Sequence, residues 1–460
     1  MTLGQKPIIV RQILDMDIEH VTIVTNAVTG ARVAGVIDRA GLHRKYIIDF
    51  VEQTVPKDSP VEAMYEGVKK MGAMFRRPLI LFADTLIDPK EIPDGMSSWV
   101  GVGEPDDFAR HWTYWRDNKW HDDEPGTRAP VFIGAMQLDA NTSTDYFSDD
   151  VAEFLNHMTI CATHFKSWID TGDVTSLADA TRKTFINRPA HSLELNNLGV
   201  ITKHGVDDAQ VDYLLGLPKE LKPLFPTVYD VKHNGHNNAS VMMEYVELPS
   251  LAELWNYWPG RPDMWKAILG NVIDTMNEHV WSLKTTSRGV MHGRAYEMYI
   301  AKTQDRLKKV NLTEFEKAWT NDVLRRARPL CDNTIPGFIH GDLNFTNILY
   351  SLSAGTFRLL DPRGTWGAHS YIGDIRYEYA KLWYSYHAFS AITHGLFIDD
   401  GLIIIREAEI NALDEVIGQY VDLEEMKLIG SLLLMSAVPL HDPSERNILM
   451  QCAEVMGITE

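Results

Sequence analysis

Three oxygen-bearing side chains lie in two neighbouring segments of the chain. Residues 338–350 read FIHGDLNFTNILY, so Asp342 and Asn347 stand five residues apart between apolar flanks. The next predicted strand, residues 358–360, ends at Asp361. Phosphoryl transfer needs a carboxylate that orients the attacking hydroxyl and oxygen ligands for the magnesium that bridges the phosphates. Asp342 suits the first role, and Asn347 and Asp361 suit the second.

The order HGDLNFTN and then LLDPRG resembles the aminoglycoside phosphotransferase and choline kinase group, which has a protein-kinase-like fold. This resemblance implies that Asp342 is the catalytic base and that Asn347 and Asp361 bind the metal. It also implies that His340 braces the loop. The alternative is that these acids only cap loops and form turns.

A second piece of the resemblance follows the motif. The segment GDIRYEYAKL resembles the start of the family's next helix, where Asp374 would tie down the catalytic loop through hydrogen bonds. Glu378 is a departure, because these families often have Asp at that position.

The predicted small lobe contributes a lysine at the end of an apolar strand. Lys203 ends LGVITK and would contact the α- and β-phosphates of ATP, or it is a solvent-facing lysine at a strand end. An acid on the following helix normally orients such a lysine. The candidates are Asp207, Asp208 and Asp212, and Gln210 occupies a suitable position without a charge.

Two further segments complete the predicted nucleotide site. Glu244 and Val246 would form the hinge, whose backbone groups pair with adenine. Residues 187–195 stand where a phosphate-covering hairpin is expected, although they carry no glycine-rich fingerprint.

The acceptor site is less defined by the sequence. Aromatic side chains suit sugar rings or a quaternary ammonium, but large aromatics more often fill cores. Arg363 suits an anionic acceptor, and a structural salt bridge is the alternative. The candidate walls are Trp255, Tyr257, Trp258, Trp366, Trp383, Tyr384 and His387.

The first 180 residues contain several pieces that resemble sugar-phosphate nucleotidyltransferases. These pieces are KPIIVRQILDM with Lys6, DFVEQ with Gln53, LFADTLID with Asp84 and SWIDTGD with Asp170. The resemblance implies that Lys6 and Gln53 bind nucleotide and that Asp84 and Asp170 bind metal. The alternation of strand and helix patterns predicts a mostly parallel sheet with helices on its faces.

One element of that family is not found. The enzymes begin with a strand and a glycine-rich loop that wraps the triphosphate, and this chain starts where that element should have ended. The expectation is a catalytically dead or binding-only domain. An atypical active enzyme, or a chain whose true start lies upstream, is the alternative.

The predicted organisation is therefore an α/β, Rossmann-like nucleotidyltransferase-like domain over residues 1–185 and an α+β bilobal protein-kinase-like domain. The latter divides into a small lobe at 186–248 and a mainly helical large lobe at 249–460.

Composition narrows the class of partners. The 460 residues are 45% hydrophobic and 23% charged, with a net charge of −19 that argues against nucleic acid or anionic membranes as partners. Three separated cysteines, no signal peptide and no apolar run of membrane-spanning length predict a cytoplasmic protein without a membrane span. A homo-oligomer stays open.

The sequence thus predicts a kinase that uses ATP and Mg²⁺ to phosphorylate a hydroxyl of a sugar, polyol or amino alcohol. The pairing of the two halves resembles fused proteins of bacterial capsule and surface-polysaccharide assembly. A bifunctional kinase and nucleotidyltransferase is the second reading, and a non-catalytic nucleotide-binding scaffold is the third.

Overall fold

The structure is a computed structural model, and it divides the chain into two compact units, Met1–Phe185 and Ile186–Glu460. Both units combine helices and strands. No helix among the described residues is long and apolar enough to cross a membrane. The described residues are 2–3, 6–26, 29–53, 60–71, 77–93, 98–104, 113–122, 129–138, 150–158, 161–171, 192–196, 198–258, 260–282, 288–367, 369–393, 406–441 and 445–457.

The N-terminal unit contains twelve strands and four α-helices in its described part. The strands are β1 (Thr2–Leu3), β2 (Lys6–Pro7), β3 (His20–Thr25), β4 (Ile47–Glu52), β5 (Leu79–Leu81), β6 (Thr85–Leu86), β7 (Trp99–Gly103), β8 (Tyr114–Arg116), β9 (Lys119–His121), β10 (Val131–Gln137), β11 (Cys161–His164) and β12 (Ile169–Asp170). The helices are α1 (Ile8–Met16), α2 (Gly30–Arg39), α3 (Pro60–Met71) and α4 (Val151–His157).

The main sheet of this unit is built around β10. This strand pairs antiparallel with β5, β7 and β8, while β11 runs parallel to β7 and β3 runs parallel to β4. The described pairs are therefore mostly antiparallel, which corrects the expectation of a mostly parallel sheet. The reason is that six of the seven β10 residues are buried. An apolar run reports burial on both faces and does not report strand direction.

The C-terminal unit begins with a four-stranded antiparallel sheet in the order β13-β14-β16-β15. Its strands are β13 (Leu193–Leu195), β14 (Val200–Val206), β15 (Val228–His233) and β16 (Ala239–Glu244). Helix α5 (Asp208–Leu215) packs on the sheet through Val211, which contacts the core formed by Val206, Ala239 and Val241. Asp207 begins this helix, since its side chain accepts a hydrogen bond from the Gln210 N–H at 2.7 Å.

The rest of the unit is mainly helical and surrounds one large apolar core. Its α-helices are α6 (Leu251–Tyr257), α7 (Pro262–Thr275), α8 (Arg288–Ala295), α9 (Lys302–Leu307), α10 (Glu314–Ala327), α11 (Ile375–Tyr384), α12 (Ser390–Thr393), α13 (Glu407–Ile417), α14 (Leu423–Ala437) and α15 (Arg446–Gly457). Helices α6 and α10 begin with capping boxes. Wider π-helical turns follow α7, α8 and α11, at Met276–Trp281, Tyr296–Ala301 and Ser385–Phe389.

Short strands interrupt the helical part at the HGD and DPRG segments. They are β17 (Pro336–Phe338), β18 (Ile348–Ser351), β19 (Thr356–Leu359), β20 (Thr365–Trp366), β21 (His369–Ser370) and β22 (Ile372–Asp374). The hairpin β18–β19 pairs Ile348 with Leu359, and β17 pairs antiparallel with β22. These pairings position the candidate site.

Candidate active site

The HGD loop is held by a buried glutamate. Glu378 on α11 is fully buried, and its two carboxylate oxygens accept hydrogen bonds from the backbone N–H groups of His340 and Gly341 at 2.8 and 3.0 Å. Gly341 has a φ of 83°, and a Cβ there would lie 2.7 Å from the Cβ of Arg363. Glycine is therefore required by both the conformation and the close contact. Burial raises the pKa of Glu378 to about 7, although both N–H groups oppose this.

The ring of His340 is buried next to the same loop. It stacks on Phe225 with ring centroids 6.0 Å apart, and its Nδ1 accepts a hydrogen bond from the Asp342 N–H at 3.2 Å. Accepting this bond requires an unprotonated Nδ1. Burial lowers the pKa of His340 to about 4, so the ring is neutral at physiological pH. This geometry is compatible with a bracing role.

The carboxylate of Asp342 is held by an ammonium and an amide. The Nζ of Lys381 lies 2.8 Å from Oδ1, and the Nδ2 of Asn347 lies 3.2 Å from Oδ2 and 2.8 Å from the Asp342 carbonyl oxygen. Burial raises the pKa of Asp342, but Lys381 and then Arg363 outweigh it and hold that pKa well below its usual range. Asp342 is therefore an ionised carboxylate with a fixed orientation.

Lys381 was assigned no role from the sequence. It follows Glu378 by three residues on α11, so both side chains face the loop. Its Nζ lies 3.2 Å from the hydroxyl of Tyr384. Burial lowers the pKa of Lys381, but the nearby Asp342 carboxylate raises it above the usual range. The signal that could have revealed it is a lysine within the apolar run YEYAKLWY.

The hairpin β18–β19 brings Asn347 close to Asp361. The Leu360 N–H donates to the Asn347 carbonyl at 2.8 Å, so the two candidate metal ligands flank the open end of the hairpin. Asp361 has a φ of 52°, a left-handed conformation that is uncommon outside glycine and marks sites where structure over-determines the backbone. Gly364 follows in the same loop, and a Cβ there would lie 2.4 Å from the Ala209 carbonyl at the start of α5.

Lys203 is buried and is paired with Asp361. Its Nζ lies 2.7 Å from Asp361 Oδ1, and the lysine side chain is 8% exposed. The solvent-facing alternative for Lys203 is therefore wrong. A small cleft with a cavity volume of about 20 Å³ lies beside this pair, lined largely by apolar side chains that include Val206 and Met243.

The acids of α5 are not brought to Lys203, which corrects that expectation. Asp207 caps the helix, and Asp208 accepts a hydrogen bond from the Asn237 N–H at 3.0 Å. Asp212 is exposed. Gln210 and Leu214 are the members of this helix that line the cleft with Lys203. The physical reason is that both Asp207 and Asp208 are used to start the helix and tie it to the β15–β16 turn.

The predicted hinge lies at the end of β16. The side chain of Glu244 accepts hydrogen bonds from Arg358 at 2.7 Å and from the Thr227 N–H at 3.0 Å. The carbonyl of Val246 accepts a hydrogen bond from the Leu248 N–H at 3.0 Å, and its own N–H has no partner in the described part of the chain. A free backbone donor at this point is what a bound adenine would require.

Asp374 has a different role from the one expected. Its carboxylate accepts hydrogen bonds from the Ile335 N–H, the Tyr299 hydroxyl and the Arg376 guanidinium. It therefore anchors β17 and the start of α11, and Glu378 one turn later binds the catalytic loop instead. The reason is helical geometry, because Asp374 caps α11 and only residues further along the helix reach the HGD backbone.

Most of the candidate acceptor aromatics are core residues. Trp255, Tyr257, Trp366, Trp383 and Tyr384 are each at most 3% exposed. Trp258 is partly buried against the same core, and His387 lies 3.0 Å from Asp414. Arg363 is partly buried, and it forms no salt bridge in the described part of the chain. The alternative that it binds an anion therefore remains.

The two candidate acids of the N-terminal unit are neighbours. Asp170 pairs with Thr85 across β12 and β6, and the Thr171 N–H and Oγ1 donate to the Asp84 carbonyl at 2.9 and 2.8 Å. Gln12 fixes α1 to the same turn through hydrogen bonds of 2.6 Å to the carbonyls of Phe82 and Thr85.

The other two candidates lie on nearby elements of this unit. Lys6 directly precedes α1 on β2, and burial lowers its pKa. Gln53 follows β4, where its N–H donates to the Thr25 carbonyl at 2.8 Å. Residues 187–191 of the predicted phosphate-covering hairpin lie outside the described residues, while 193–195 form β13.

Comparisons with known proteins give low structural scores. No family model and no curated protein matches the chain. An aminoglycoside-3'-phosphotransferase of type VIII is similar over 56% of this chain and 98% of its own, with 19% identity and a TM-score of 0.34. A glucosamine kinase covers 63% of this chain and 82% of its own, with 10% identity and a TM-score of 0.36. HddC from Yersinia pseudotuberculosis is similar over 38% of this chain and 82% of its own, with 17% identity and a TM-score of 0.31. Similarities at these TM-scores carry no inference about what this chain does.

Proposed function

We propose that the C-terminal unit is a kinase that uses ATP and Mg²⁺ to phosphorylate a hydroxyl group of a small molecule such as a sugar, polyol or amino alcohol. In this proposal residues 186–248 form the small lobe and 249–460 the large lobe. The observation that carries it is the connected network in which Asp342, Asn347, Asp361 and Lys203 meet. Acids that only cap loops do not require buried ammonium groups as partners, whereas here two buried ammonium groups each contact a carboxylate.

The donor atoms fit a magnesium ion. Lys203 contacts only Oδ1 of Asp361, and Asn347 uses its Nδ2 as a donor, so one oxygen of each side chain stays available among the described residues. No cluster of three His, Cys, Asp or Glu side chains is present there, but Mg²⁺ keeps waters and phosphate oxygens as its other ligands. When bound, Mg²⁺ would supply positive charge that neutralises the phosphates.

Asp342 would orient the acceptor. The acceptor hydroxyl donates a hydrogen bond to the carboxylate, and its oxygen attacks the γ-phosphorus of ATP in line with the β–γ bridging oxygen. The bond to that bridging oxygen breaks, and its electron pair leaves with ADP. The hydroxyl proton passes to Asp342. Because the pKa of Asp342 is held low, this proton moves late, as fits a loose transition state in which positioning does most of the work.

Lys203 would bind the phosphates of ATP. Its ammonium already lies on Asp361, so the lysine and the metal-binding acid are fixed relative to each other. The Val246 N–H would receive the adenine ring at the hinge. Both contacts are preorganised, so little rearrangement accompanies nucleotide binding.

The decisive test is an acceptor screen with ATP and Mg²⁺ that measures ADP release. Asp342→Asn should lower kcat by about 10³-fold or more, in the range of a lost catalytic base, while circular dichroism stays unchanged. The control is Asp322→Asn, an exposed helical acid. Full turnover in Asp342→Asn, or nucleotide binding without turnover on any acceptor, would remove the assignment, and the second result would favour a scaffold.

A second candidate is a bifunctional kinase and nucleotidyltransferase. The observation that favours it is the proximity of Asp84, in the turn before β6, to Asp170 on β12, which pairs with β6, since two neighbouring acids are suited to metal-assisted nucleotidyl transfer. Such an enzyme would serve surface-polysaccharide assembly by activating the phosphorylated product. It predicts pyrophosphate release from CTP or another nucleoside triphosphate in the presence of a phosphorylated acceptor.

A further inference from the structure

Four cationic side chains interact electrostatically with the carboxylate of Asp342, and Lys381 contacts it directly at 2.8 Å. Lys302 and Arg306 lie four residues apart on α9 and share one face of that helix. Lys381 comes from α11 and Arg363 from the DPRG segment. The Nζ atoms of Lys302 and Lys381 lie 5.8 and 5.7 Å from the ring centroid of Tyr377, so both ammonium groups are near the same ring.

Arg363 leaves the backbone directly beside the catalytic loop. Its N–H donates to the His340 carbonyl at 2.8 Å, and its Cβ is in close contact with Gly341. The guanidinium influences both Asp342 and Lys302 electrostatically. Three separate elements therefore direct positive charge to the place where an acceptor hydroxyl must lie.

Three of these four cations lack acidic partners in the described part of the chain. Lys381 occupies one oxygen of Asp342, while the polar contact of Lys302 is the Tyr377 hydroxyl at 3.5 Å. Arg306 donates to the Ser436 carbonyl at 2.8 Å. Within the described part of the chain, neither Lys302 nor Arg306 nor Arg363 forms an ion pair.

The arrangement is unfavourable in the absence of a ligand. Burial lowers the pKa of Lys302 well below its usual range, and Arg363, Lys381 and Arg306 lower it further, while the Asp342 carboxylate opposes them. Burial and Arg363 likewise lower the pKa of Arg306. The chain has 63 acidic and 44 basic residues, so this local excess of positive charge runs against the composition. An anion bound there would relieve the repulsion.

We propose that the acceptor carries an anionic group, a phosphate or a carboxylate, which binds Lys302, Arg306 and Arg363 while its hydroxyl faces Asp342. The inference rests on the proposed kinase function and narrows its substrate class to a sugar phosphate or a sugar acid. Amino alcohols are then disfavoured, because their ammonium would meet the same cations. Guanidinium groups suit both anions, since they bind either in a bidentate manner.

The ATP phosphates are the other anions to consider for this cluster. Their predicted contacts, Lys203 and the Asn347–Asp361 pair, lie on the β14 and β18–β19 elements. Lys302 and Arg306 lie on α9, a separate element, and Lys302 contacts the Tyr377 hydroxyl on the helix that also carries Lys381. The α9 cations therefore fit the acceptor better than the nucleotide.

The test compares matched acceptors with the full-length protein, ATP and Mg²⁺. One set compares glucose with glucose 6-phosphate and gluconate. The other compares glycerol with glycerol 3-phosphate and glycerate, and ethanolamine is the cationic acceptor. The anionic acceptors should have a kcat/KM about 100-fold higher or more than the neutral ones. Comparing the phosphate with the carboxylate acceptors shows which anion the site prefers. Equal or better turnover of neutral or cationic acceptors overturns the inference and leaves the kinase assignment in place.

A charge-removing variant tests the residues themselves. Lys302→Met should raise the KM for the anionic acceptor by about tenfold to a hundredfold and leave the KM for ATP unchanged. Lys302→Arg should retain most of the affinity, and Lys308→Met, an exposed lysine just after α9, is the control. A rise in the KM for ATP without a change for the acceptor would assign the cluster to the nucleotide and refute the inference.

A binding measurement separates this inference from the proposed function. Glucose 6-phosphate or inorganic phosphate should raise the Tm of the protein without nucleotide, and Lys302→Met should abolish most of that rise. Glucose should have no effect. The anion site stands if this pattern appears in a protein that shows no ADP release, a result that would refute only the kinase. An identical phosphate effect in wild type and Lys302→Met refutes the site.

Discussion

The two units of this protein fix their candidate acids in different ways. In the C-terminal unit, Asp342 and Asp361 each contact a lysine ammonium, at 2.8 and 2.7 Å. In the N-terminal unit, the bonds around Asp84 join main-chain carbonyls to Thr171 and Gln12. The contacts in the C-terminal unit fix the positions of charged groups, whereas those in the N-terminal unit fix the course of the backbone.

The difference bears on where catalysis is expected. A site that stabilises a transition state needs charges whose orientation is set before the substrate binds. The C-terminal unit has such charges, and the cost of burying its two lysine ammonium groups is offset by close pairing with carboxylates. The N-terminal unit brings two acids close together, on β12 and in the turn before β6, but its described polar contacts mainly fix the backbone. We therefore expect substitutions in the two units to separate ADP release from any nucleotidyl transfer.

The largest loss of ADP release that would test this comparison is expected on substitution of Asp361. Asp361→Asn removes the charge that we propose binds the metal and leaves the buried Lys203 ammonium without its partner. We expect kcat for ADP release to fall by about 10³-fold, because charge neutralisation at the phosphates is lost. Steady-state kinetics with Mg²⁺ titration measure this. An unchanged rate at saturating Mg²⁺ would mean that Asp361 is not a ligand.

A smaller effect is expected at Lys381, which we regard as a positioning residue. Lys381→Met should lower kcat by about tenfold to a hundredfold, because the Asp342 carboxylate loses its fixed orientation. Lys381 lowers the pKa of Asp342, so its removal raises that pKa and protonates the carboxylate at a higher pH. The acidic limb of the pH–rate profile should therefore move to higher pH.

Lys381→Arg provides the control, because it keeps the charge and should restore the acidic limb. A parallel drop in kcat at every pH, with no shift of the limb, would show that Lys381 acts only in packing.

Glu378 should affect stability in a pH-dependent manner. Burial raises the pKa of its carboxyl to about 7, above its value in the unfolded chain. The folded state then binds more protons than the unfolded state between about pH 4.5 and 7, so this group stabilises the fold fully at low pH. Its contribution declines as the pH rises towards 7, by a total on the order of 3 kcal/mol.

Glu378→Gln should remove this pH dependence and also lower kcat, since an amide cannot accept from both loop N–H groups. Thermal unfolding of wild type and variant from pH 4.5 to 8 measures the difference. A Tm difference that is constant across this range would contradict the assigned pKa.

The smallest effect on ADP release is expected from the N-terminal unit. Asp84→Ala should change kcat/KM for the kinase reaction by less than about twofold, because Asp84 lies in the other compact unit. The same variant should abolish pyrophosphate release if the unit transfers nucleotides. A large loss of kinase activity would break the comparison, since the two units would then share one activity.

Much of the local structure follows from patterns in the chain. The helix predicted to follow Lys203 is observed at Asp208–Leu215, and the hinge predicted at Glu244 and Val246 lies at the end of the strand Ala239–Glu244. These elements are short and have clear caps or apolar runs, which are local properties. The direction of the strands next to β10 was predicted wrongly, because neighbours in a sheet are chosen by contacts distant in sequence.

The sequence by itself determined which oxygen-bearing side chains the HGD and DPRG segments carry. Asp342 and Asn347 are five residues apart in one loop and Asp361 follows β19 by two residues, so the single hairpin β18–β19 is enough to bring them together. Only the tertiary structure decided which lysine ammonium contacts each carboxylate. Lys203 reaches Asp361 across 158 positions of the chain, and Lys381 reaches Asp342 from a separate helix. Such pairs depend on how helices and sheets pack, because Coulomb attraction acts through space and a linear pattern does not record distance.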